Sequence, residues 1–302
     1  MTAGPKQRSK FYPSIIGALL ALTAFMLVVV SMNIFGHREP VAEEPISVQR
    51  HEPPQNNTDT ESTPLVKTST DGSECSFSRT VLTDTDLQKL ADNKNLRTLN
   101  LTHCSFAGKL SAQTTAQTIH VAHSSVDANA ISFIAHSPSI RCAEFFSCEF
   151  QPLSLDSLRS SKIAWLQIRN SKVLTHDNSF CTADIADIAA MPNLVHLELE
   201  RSEIAANTLG GISTSAVKVA NLRDCDLSDS DLASISKSPR LQYINILSNP
   251  KLSAAGVAQL LRAPKIRQIK SDLDLSKLAL PHLEREKLDS ASYHVPGSFY
   301  EK

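Results

Sequence analysis

The chain has 302 residues, a formal net charge of −1 and 20% charged residues. This balance of charge gives no electrostatic basis for binding nucleic acid, which is therefore not expected as a partner. Only nine glycines are present, and their scarcity disfavours nucleotide-binding folds built on glycine-rich turns.

An uncharged apolar segment near the N-terminus is the first predicted element. Residues 14–36 contain no Asp, Glu, Lys or Arg, and roughly 20 apolar residues are enough to span the core of a bilayer. Three basic residues and no acidic residue precede the segment. The positive-inside rule therefore predicts a cytoplasmic stub at residues 1–13, a transmembrane signal anchor at 14–36 in contact with the lipid bilayer, and an extracytoplasmic remainder.

A cleaved signal peptide is the alternative interpretation of residues 14–36. Signal peptides have apolar cores of about 7–15 residues and end at a small-residue cleavage site. The apolar segment here is longer, and no Ala-x-Ala sequence follows it. We therefore expect a single-pass membrane protein with an uncleaved anchor and with the following domain outside the cytoplasm.

The next segment, residues 37–73, is predicted to be a disordered tether. It is rich in Pro, Ser, Thr and Glu, and such a composition cannot bury enough apolar surface to offset the entropy lost on ordering. A flexible chain of this length has a mean span of roughly 35 Å. An N-terminal cap is expected at residues 74–95, and a C-terminal cap and tail at 275–302.

Eight segments of the remaining chain share one template, with apolar residues at the first, fourth and sixth positions and usually Cys, Ser or Asn at the ninth. They begin, at intervals of 20 to 31 residues, at Leu96, Ala116, Ile140, Ile163, Leu194, Val217, Leu241 and Ile266. Apolar residues two apart, such as Leu99 and Leu101, point to one face of a strand. A helix-like segment follows, as at 228–235. This period indicates a solenoid, in which each unit buries its apolar face against its neighbours.

The ninth position of the template is predicted to bond backbone groups where the chain leaves each strand. These ladder residues are Cys104, Ser124, Cys148, Ser171, Ser202, Cys225 and Asn249. The three thiols are expected to be buried, because free Cys packs as a small hydrophobe, whereas a reactive thiol needs exposure and nearby positive charge. The sequence leaves the pairing of the other cysteines undetermined: Cys75, Cys142 and Cys181.

The template resembles the leucine-rich repeat family, in the form with Cys or Asn at the ladder position that is similar to ribonuclease-inhibitor-like repeats. The helix starts at 82–87 and 228–232 resemble those of bacterial members, and this resemblance implies a bacterial inner membrane with the domain on its periplasmic side. Over residues 96–274, this resemblance implies an α/β leucine-rich-repeat solenoid of about eight repeats, with a curved parallel sheet on the concave side and helices outside. The family usually binds proteins. The sequence departs from the pattern where Ala replaces Leu, at Ala116, Ala143 and Ala220.

The strand period also predicts which side chains point outwards, onto the concave face. In the middle repeats these are aromatic or charged: Trp165, Phe146, His196, Tyr243, Arg169, Glu198, Glu200 and Arg223. Aromatic and Arg side chains at the centre of a concave surface are typical of binding hot spots. We therefore expect a protein or peptide ligand there. The alternative is that Trp165 packs on its neighbours and binds no partner.

Chemistry is not expected of this chain. No phosphate loop, nucleophile elbow or zinc motif is present in the sequence, so we predict a non-catalytic protein without a cofactor or metal. Two alternatives remain open: a cell-envelope scaffold without a specific ligand and, more remotely, a metal-dependent hydrolase at His103, His120 and His123. The fourth repeat is longer than its neighbours, and its excess at 174–182 is either a functional rim loop or a neutral insertion.

Overall fold

The computed structural model describes residues 65–175 and 177–274. Within them the chain is a mixed α/β structure with a ten-stranded, mostly parallel sheet. The predicted stub, signal anchor and C-terminal cap, and most of the predicted tether, lie outside these residues. None of the described helices is both long and apolar enough to cross a bilayer.

The ten-stranded sheet is built from two strands that precede the repeats and one strand of each of the eight units. In spatial order its strands are β1 Leu65–Thr68, β2 Glu74–Ser78, β4 Thr98–Thr102, β6 Thr118–Ala122, β8 Cys142–Phe146, β10 Trp165–Arg169, β12 His196–Glu200, β13 Val219–Asn221, β14 Tyr243–Asn245 and β15 Gln268–Lys270. Five two-residue strands lie beyond the ladder positions: β3 Val81–Leu82, β5 Ser105–Phe106, β7 Ser125–Val126, β9 Glu149–Phe150 and β11 Lys172–Val173. All neighbouring pairs in the large sheet are parallel except β1 with β2.

The repeated template sets the register of this sheet. Each of the eight strands from β4 to β15 begins two residues after a template start, as Thr98 follows Leu96. Equivalent positions lie side by side, so that Leu99 is opposite Ile119. The apolar positions are therefore stacked from strand to strand, and the predicted parallel sheet is confirmed.

Helical segments follow several of the strands, and those from Ala128 onwards pack against one another in a row. They are α1 Asp84–Ala91, α2 Ala128–His136, α3 Thr182–Ala189, α4 Asp229–Ile235 and α5 Ala254–Leu261, with 3₁₀ helices at Ser154–Ser160 and Leu209–Thr214. The predicted helix start at Ser228 is confirmed, because its backbone N–H donates to Asp231 Oδ2 at 3.0 Å. This bond satisfies one of the amides that a helix leaves unpaired at its beginning.

The hydrophobic core lies between the sheet and the row of helices. Leu99 and Leu101 of β4 are fully buried there, together with Leu87 of α1 and Ile131 of α2. The intervening residues of each strand point to the opposite side of the sheet. We call that opposite side, which carries Thr98, Asn100, Thr102 and their equivalents, the helix-free face.

The boundary of the predicted tether requires a correction. Residues 65–73 do not belong to a disordered segment, because Leu65–Thr68 forms β1 and pairs antiparallel with β2. A turn at Gly72, with φ of +72°, joins the two strands. Four residues are too few to show the alternation of a strand, and the proline-rich composition of the preceding residues favoured a disordered segment.

The insertion predicted at 174–182 contributes to the core. Phe180 is fully buried and packs edge-on against Phe150, with ring centroids 5.7 Å apart. It also forms a parallel bridge with Ile204 of the next unit. Cys181 then occupies the N-cap of α3. The C-terminal part of this loop is therefore anchored in the structure.

Candidate binding face

Hydrogen bonds of the ladder residues join each unit to its neighbours. Cys104 N–H donates to Ser124 Oγ at 2.9 Å, and Cys148 N–H donates to Ser171 Oγ at 3.0 Å. Asn249 Oδ1 accepts from Cys225 N–H at 3.1 Å, while its Nδ2 donates to the carbonyl of Leu222 at 2.9 Å. The ladder side chains therefore satisfy buried backbone groups.

The three ladder thiols are buried, and burial opposes their ionisation. Desolvation raises the pKa of Cys104, raises that of Cys148 to about 11 and raises that of Cys225 to about 12. A thiolate is the nucleophilic form of cysteine. These thiols are therefore poor nucleophiles in the folded protein. None of the six cysteines forms a disulfide bond, and Cys181 is the one that is partly exposed.

Left-handed backbone precedes the ladder positions, and the repeat template does not predict it. The residues with positive φ at this point are His103, His123, Ser147, Asn170, Arg201, Asp224 and Ser248, and Arg79 after β2 has the same conformation. Except at Ser248, whose N–H donates to Asp272 Oδ2, their backbone N–H groups extend the sheet: that of His103, for example, donates to the carbonyl of Ala122 at 2.9 Å. None is glycine, which would have signalled the conformation.

The character of the helix-free face changes along the sheet. At the N-terminal end it carries small polar groups, such as Thr98 and Asn100, which are half-buried. In the middle, an aromatic pair lies on neighbouring strands: the rings of Trp165 and His196 are stacked, with centroids 4.2 Å apart. The large side chains are thus concentrated on β10 and β12.

His196 is the most enclosed polar group of this centre. Its residue surface is only 5% exposed, and its Nε2 has no hydrogen-bond partner. The nearest carboxylate oxygen, Glu198 Oε2, lies 3.9 Å away, beyond hydrogen-bond range. Buried polar atoms are normally paired, so this nitrogen is an exception to the usual pattern.

Charged side chains surround the aromatic pair and are arranged in pairs. Arg169 Nε lies 3.6 Å from Glu198 Oε1, and Arg223 Nη1 lies 3.5 Å from Glu200 Oε1. These distances are long for charge-assisted hydrogen bonds. Each carboxylate is therefore close enough to its guanidinium group for their charges to offset each other, but the two are not joined by a short hydrogen bond.

A closer pair of charged side chains lies on β6 and β8, towards the N-terminal end of the sheet. His120 Nδ1 is 2.9 Å from Glu144 Oε2, and this hydrogen bond lowers the pKa of Glu144, with a smaller electrostatic contribution from Arg169. Cys142 Sγ is 3.7 Å from the other oxygen of that carboxylate. This pair connects the polar N-terminal half of the face to its centre.

Not all of the predicted binding residues converge. Trp165, His196, Arg169, Glu198, Glu200 and Arg223 lie on β10, β12 and the start of the turn after β13. Phe146 is paired with Arg169 at the rim and is 46% exposed, while Tyr243 is separated from His196 by Val219.

Two residues omitted from the predicted set also belong to the centre. Gln167 lies between Glu144 and Glu198 in register, and Asn221 pairs with Glu198 from the other side. The oxygen Oδ1 of Asn221 and the Nε of Arg223 are both buried without a hydrogen-bond partner. The strand period places Gln167 and Asn221 on this face, but the predicted set was limited to aromatic and charged side chains.

The histidines considered for a metal site do not converge into one. His103 and His123 are stacked, with ring centroids 5.0 Å apart, and Phe146 packs edge-on against His123. His120, by contrast, is bound to Glu144. Within residues 65–175 and 177–274, no group of three or more His, Cys, Asp or Glu side chains is placed to hold a metal ion.

A separate cleft of about 390 Å³ lies at the rim beyond the strands. It is lined by Asn170, Arg201, Glu203, Asp224, Cys225, Asp226 and Pro250. Two of its three acidic groups have cationic neighbours, since Arg201 Nε is 3.9 Å from Asp224 and Lys251 Nζ is 2.5 Å from Asp226. The cleft is therefore less suited to a ligand than the aromatic centre.

Comparisons with known proteins give little beyond these observations. No protein-family model and no curated protein matches the chain. One solved structure with similarity to it is an octameric complex of Latrophilin 3 (Lec, Olf), Unc5D (Ig, Ig2, TSP1) and FLRT2 (LRR). The TM-score is 0.36 at 10% sequence identity, and the match covers 71% of this chain and 78% of that one.

Proposed function

We propose that this chain is a membrane-tethered, non-catalytic binding protein whose leucine-rich-repeat-type domain holds a protein or peptide on the helix-free face. The regular template, the stacked strands and the ladder hydrogen bonds support the repeat assignment. The uncharged segment 14–36 supports attachment to a membrane. We expect the partner to be bound outside the cytoplasm.

One observation carries the binding proposal: the partly exposed ring of Trp165, which is stacked on the buried ring of His196 at the centre of the helix-free face. An aromatic anchor held in place by a neighbouring ring offers apolar area to a partner. The charge pairs of Arg169 and Arg223 would surround the partner and orient it.

The test starts from peptides selected against the purified full chain from a random display library. Their affinities are then measured for the wild type, for Trp165→Ala and for Thr98→Ala, a small polar position in the same column at the far end of the sheet. We expect Trp165→Ala to weaken binding by at least about 2 kcal/mol, or roughly 30-fold. Thr98→Ala should leave the affinity nearly unchanged.

Circular dichroism provides the control for folding. Trp165 lies outside the core between sheet and helices, so Trp165→Ala should retain the wild-type spectrum and nearly its melting temperature. Equal peptide affinities for the wild type and a folded Trp165→Ala variant would contradict the proposal. A cell-envelope scaffold without a specific ligand would then be the better description.

A further inference from the structure

The carboxylate of Glu198 lies between two side chains that can carry positive charge. Arg169 Nε is 3.6 Å from its Oε1, and His196 Nε2 is 3.9 Å from its Oε2. Both distances are longer than those of charge-assisted hydrogen bonds, so neither group holds the carboxylate tightly. A movement of about 1 Å would bring Glu198 into hydrogen-bond range of either one.

The other two carboxylates of this centre each have a basic partner of their own. Glu144 Oε2 is 2.9 Å from His120 Nδ1, and Glu200 Oε1 is 3.5 Å from Arg223 Nη1. In the described part of the chain, Glu198 is the only carboxylate of the centre that lies between two such partners. A change in the charge of one partner would therefore shift Glu198 between them.

His196 is the partner whose charge can change. Its Nε2 makes no hydrogen bond within the described structure, and in an imidazolium ring both nitrogens are donors. A buried charge is costly unless it is paired. Glu198 offers a counter-charge, and the ring of Trp165, stacked at 4.2 Å, favours a cation over its face. The two neighbours thus stabilise the protonated form.

We propose that protonation of His196 draws Glu198 away from Arg169, and that the freed guanidinium then binds a carboxylate of a peptide partner. The side chain of Arg169 is 41% exposed and lies beside the exposed Phe146 in register. A guanidinium presents donors in a fork that matches a carboxylate. The inference rests on the proposed function and adds to it a partner class, peptides with Asp or Glu, and a dependence on pH.

The other groups near His196 and Glu198 were considered as sources of the same pH dependence. They are Cys142 and Glu144 on β8, Trp165, Gln167 and Arg169 on β10, Glu200 on β12, Val219, Asn221 and Arg223 on β13 and the turn after it, and Tyr243 on β14. Histidine is the side chain whose charge ordinarily changes between about pH 5 and 8. Two further histidines of this side of the sheet, His120 and His123, therefore need controls.

The direction of the effect follows from the charges at the centre. With His196 neutral, Glu198 offsets the charge of Arg169. With His196 protonated, the centre has gained one positive charge, and Arg169 no longer faces a carboxylate. Acidic peptides should therefore bind more tightly as the pH falls, and by linkage their binding should favour protonation. A gained hydrogen bond between charged groups is expected to raise the affinity about tenfold.

The first measurement needs no ligand, because Trp165 is the sole tryptophan of the chain. An imidazolium ring quenches a neighbouring indole more strongly than a neutral imidazole does, so the fluorescence of the full chain should fall between about pH 8 and pH 5. His196→Gln should abolish this transition, whereas the matched changes His120→Gln and His123→Gln should retain it. Glu198→Gln should move the transition to lower pH, since the imidazolium loses its counter-charge.

The second measurement uses peptides without histidine that are selected against the full chain at about pH 5.5. Each is compared with a copy in which Asn and Gln replace Asp and Glu. The wild type should bind the acidic peptide about tenfold more tightly at pH 5.5 than at pH 8. His196→Gln and Arg169→Gln should lose this dependence on pH, and the amide copies should show little of it with any of these proteins.

Several results would overturn the inference. They are constant Trp165 fluorescence between pH 8 and 5, a transition that persists in His196→Gln, and equal pH dependence for acidic peptides and their amide copies. Circular dichroism checks the fold of each variant, and an unmoved transition in Glu198→Gln would independently exclude Glu198 as the partner. Failure of the proposed function is distinguishable: no selected peptide would depend on Trp165 at either pH, which would also remove the binding step, while the fluorescence transition would remain.

Discussion

Gly256, in the first turn of α5, lies directly against the carboxylate of Asp229, in the first turn of α4. A Cβ atom on Gly256 would overlap Oδ1 of Asp229 and lie 2.5 Å from its Cγ. The carboxylate is held in place because Ser253 donates to it from both its backbone N–H, at 2.9 Å, and its hydroxyl, at 2.5 Å. The absence of a side chain at position 256 therefore lets two neighbouring helix starts approach.

Gly256→Ala should destabilise the domain, although the same change in most helices stabilises by about 1 kcal/mol. The overlap with Asp229 would cost about 1–3 kcal/mol, and we expect a net loss that urea unfolding would measure. Gly210→Ala, which meets open space, is the control and should be neutral or stabilising. A double variant with Asp229→Ala should recover part of the loss, and strict additivity of the two changes would contradict this account.

Aspartate should destabilise the domain far more at one cysteine position than at another. Cys225→Asp would place a charge in the core without a partner and should cost at least about 3 kcal/mol. Cys181→Asp introduces the same side chain at the N-cap of α3, where Asp is favoured, and stability should change by less than about 1 kcal/mol. Chemical denaturation compares the two, and similar losses at both sites would show that burial is not the cause.

Alkylation of the native protein should distinguish its cysteines. Cys181 is partly exposed, whereas the other five thiols are buried, and the raised pKa values of Cys148 and Cys225 suppress their thiolate forms further. Treatment with iodoacetamide at about pH 8 should therefore modify Cys181 first, and the ladder thiols only after unfolding. Peptide mass spectrometry gives the order, and early labelling of Cys148 would contradict it.

Stability should fall in acid partly because of Asp84. Its carboxylate accepts the backbone N–H groups of Ala112 and Ser111 and the Ser111 hydroxyl, and these bonds lower its pKa from 3.8. A group whose pKa is lower in the folded state stabilises the fold above its ordinary pKa, and this contribution is lost as the pH falls through the lower value.

The corresponding test compares unfolding free energies of the wild type and Asp84→Asn above and below pH 3.8. Asp84→Asn should lower the stability mainly above this pH and flatten its dependence on pH below it. Ser111→Ala removes only the hydroxyl donor and should have an intermediate effect. Identical pH dependence in the wild type and Asp84→Asn would contradict the assignment.

The proposed topology makes a prediction about intact cells. Because three basic residues precede the apolar segment 14–36, the domain that follows should lie outside the cytoplasm, with the anchor retained. Protease added to spheroplasts should then digest the domain. Protection of the domain, or a mature N-terminus that begins after Met32, would exclude this arrangement.

Much of the sheet was predictable because its units repeat. The alternation of Leu99 and Leu101 determines which side chains face the core, and the template start at Leu96 determines where its strand begins. Such a signal gains strength with each repetition, which made the parallel register apparent. β1 was missed because it occurs once, is four residues long and pairs in the opposite direction.

Other features depend on contacts that no local pattern encodes. Phe180 occurs in a polar stretch, and only its packing on Phe150 of the preceding unit shows that it belongs to the core. At the candidate site, the strand period placed Trp165 and His196 on one face. It did not predict that His196 would be buried there. That enclosure depends on distances between side chains of separate strands.

A left-handed residue directly before each ladder position gives successive units the same backbone connection. His123 precedes Ser124 in this conformation, and Ser147 precedes Cys148 in the same way. Deleting residues 124–147 would therefore connect two equivalent points and shorten the sheet by one strand, while the bonding pattern on either side is kept. Recombination between units could therefore change the number of strands in the domain while its fold stays the same.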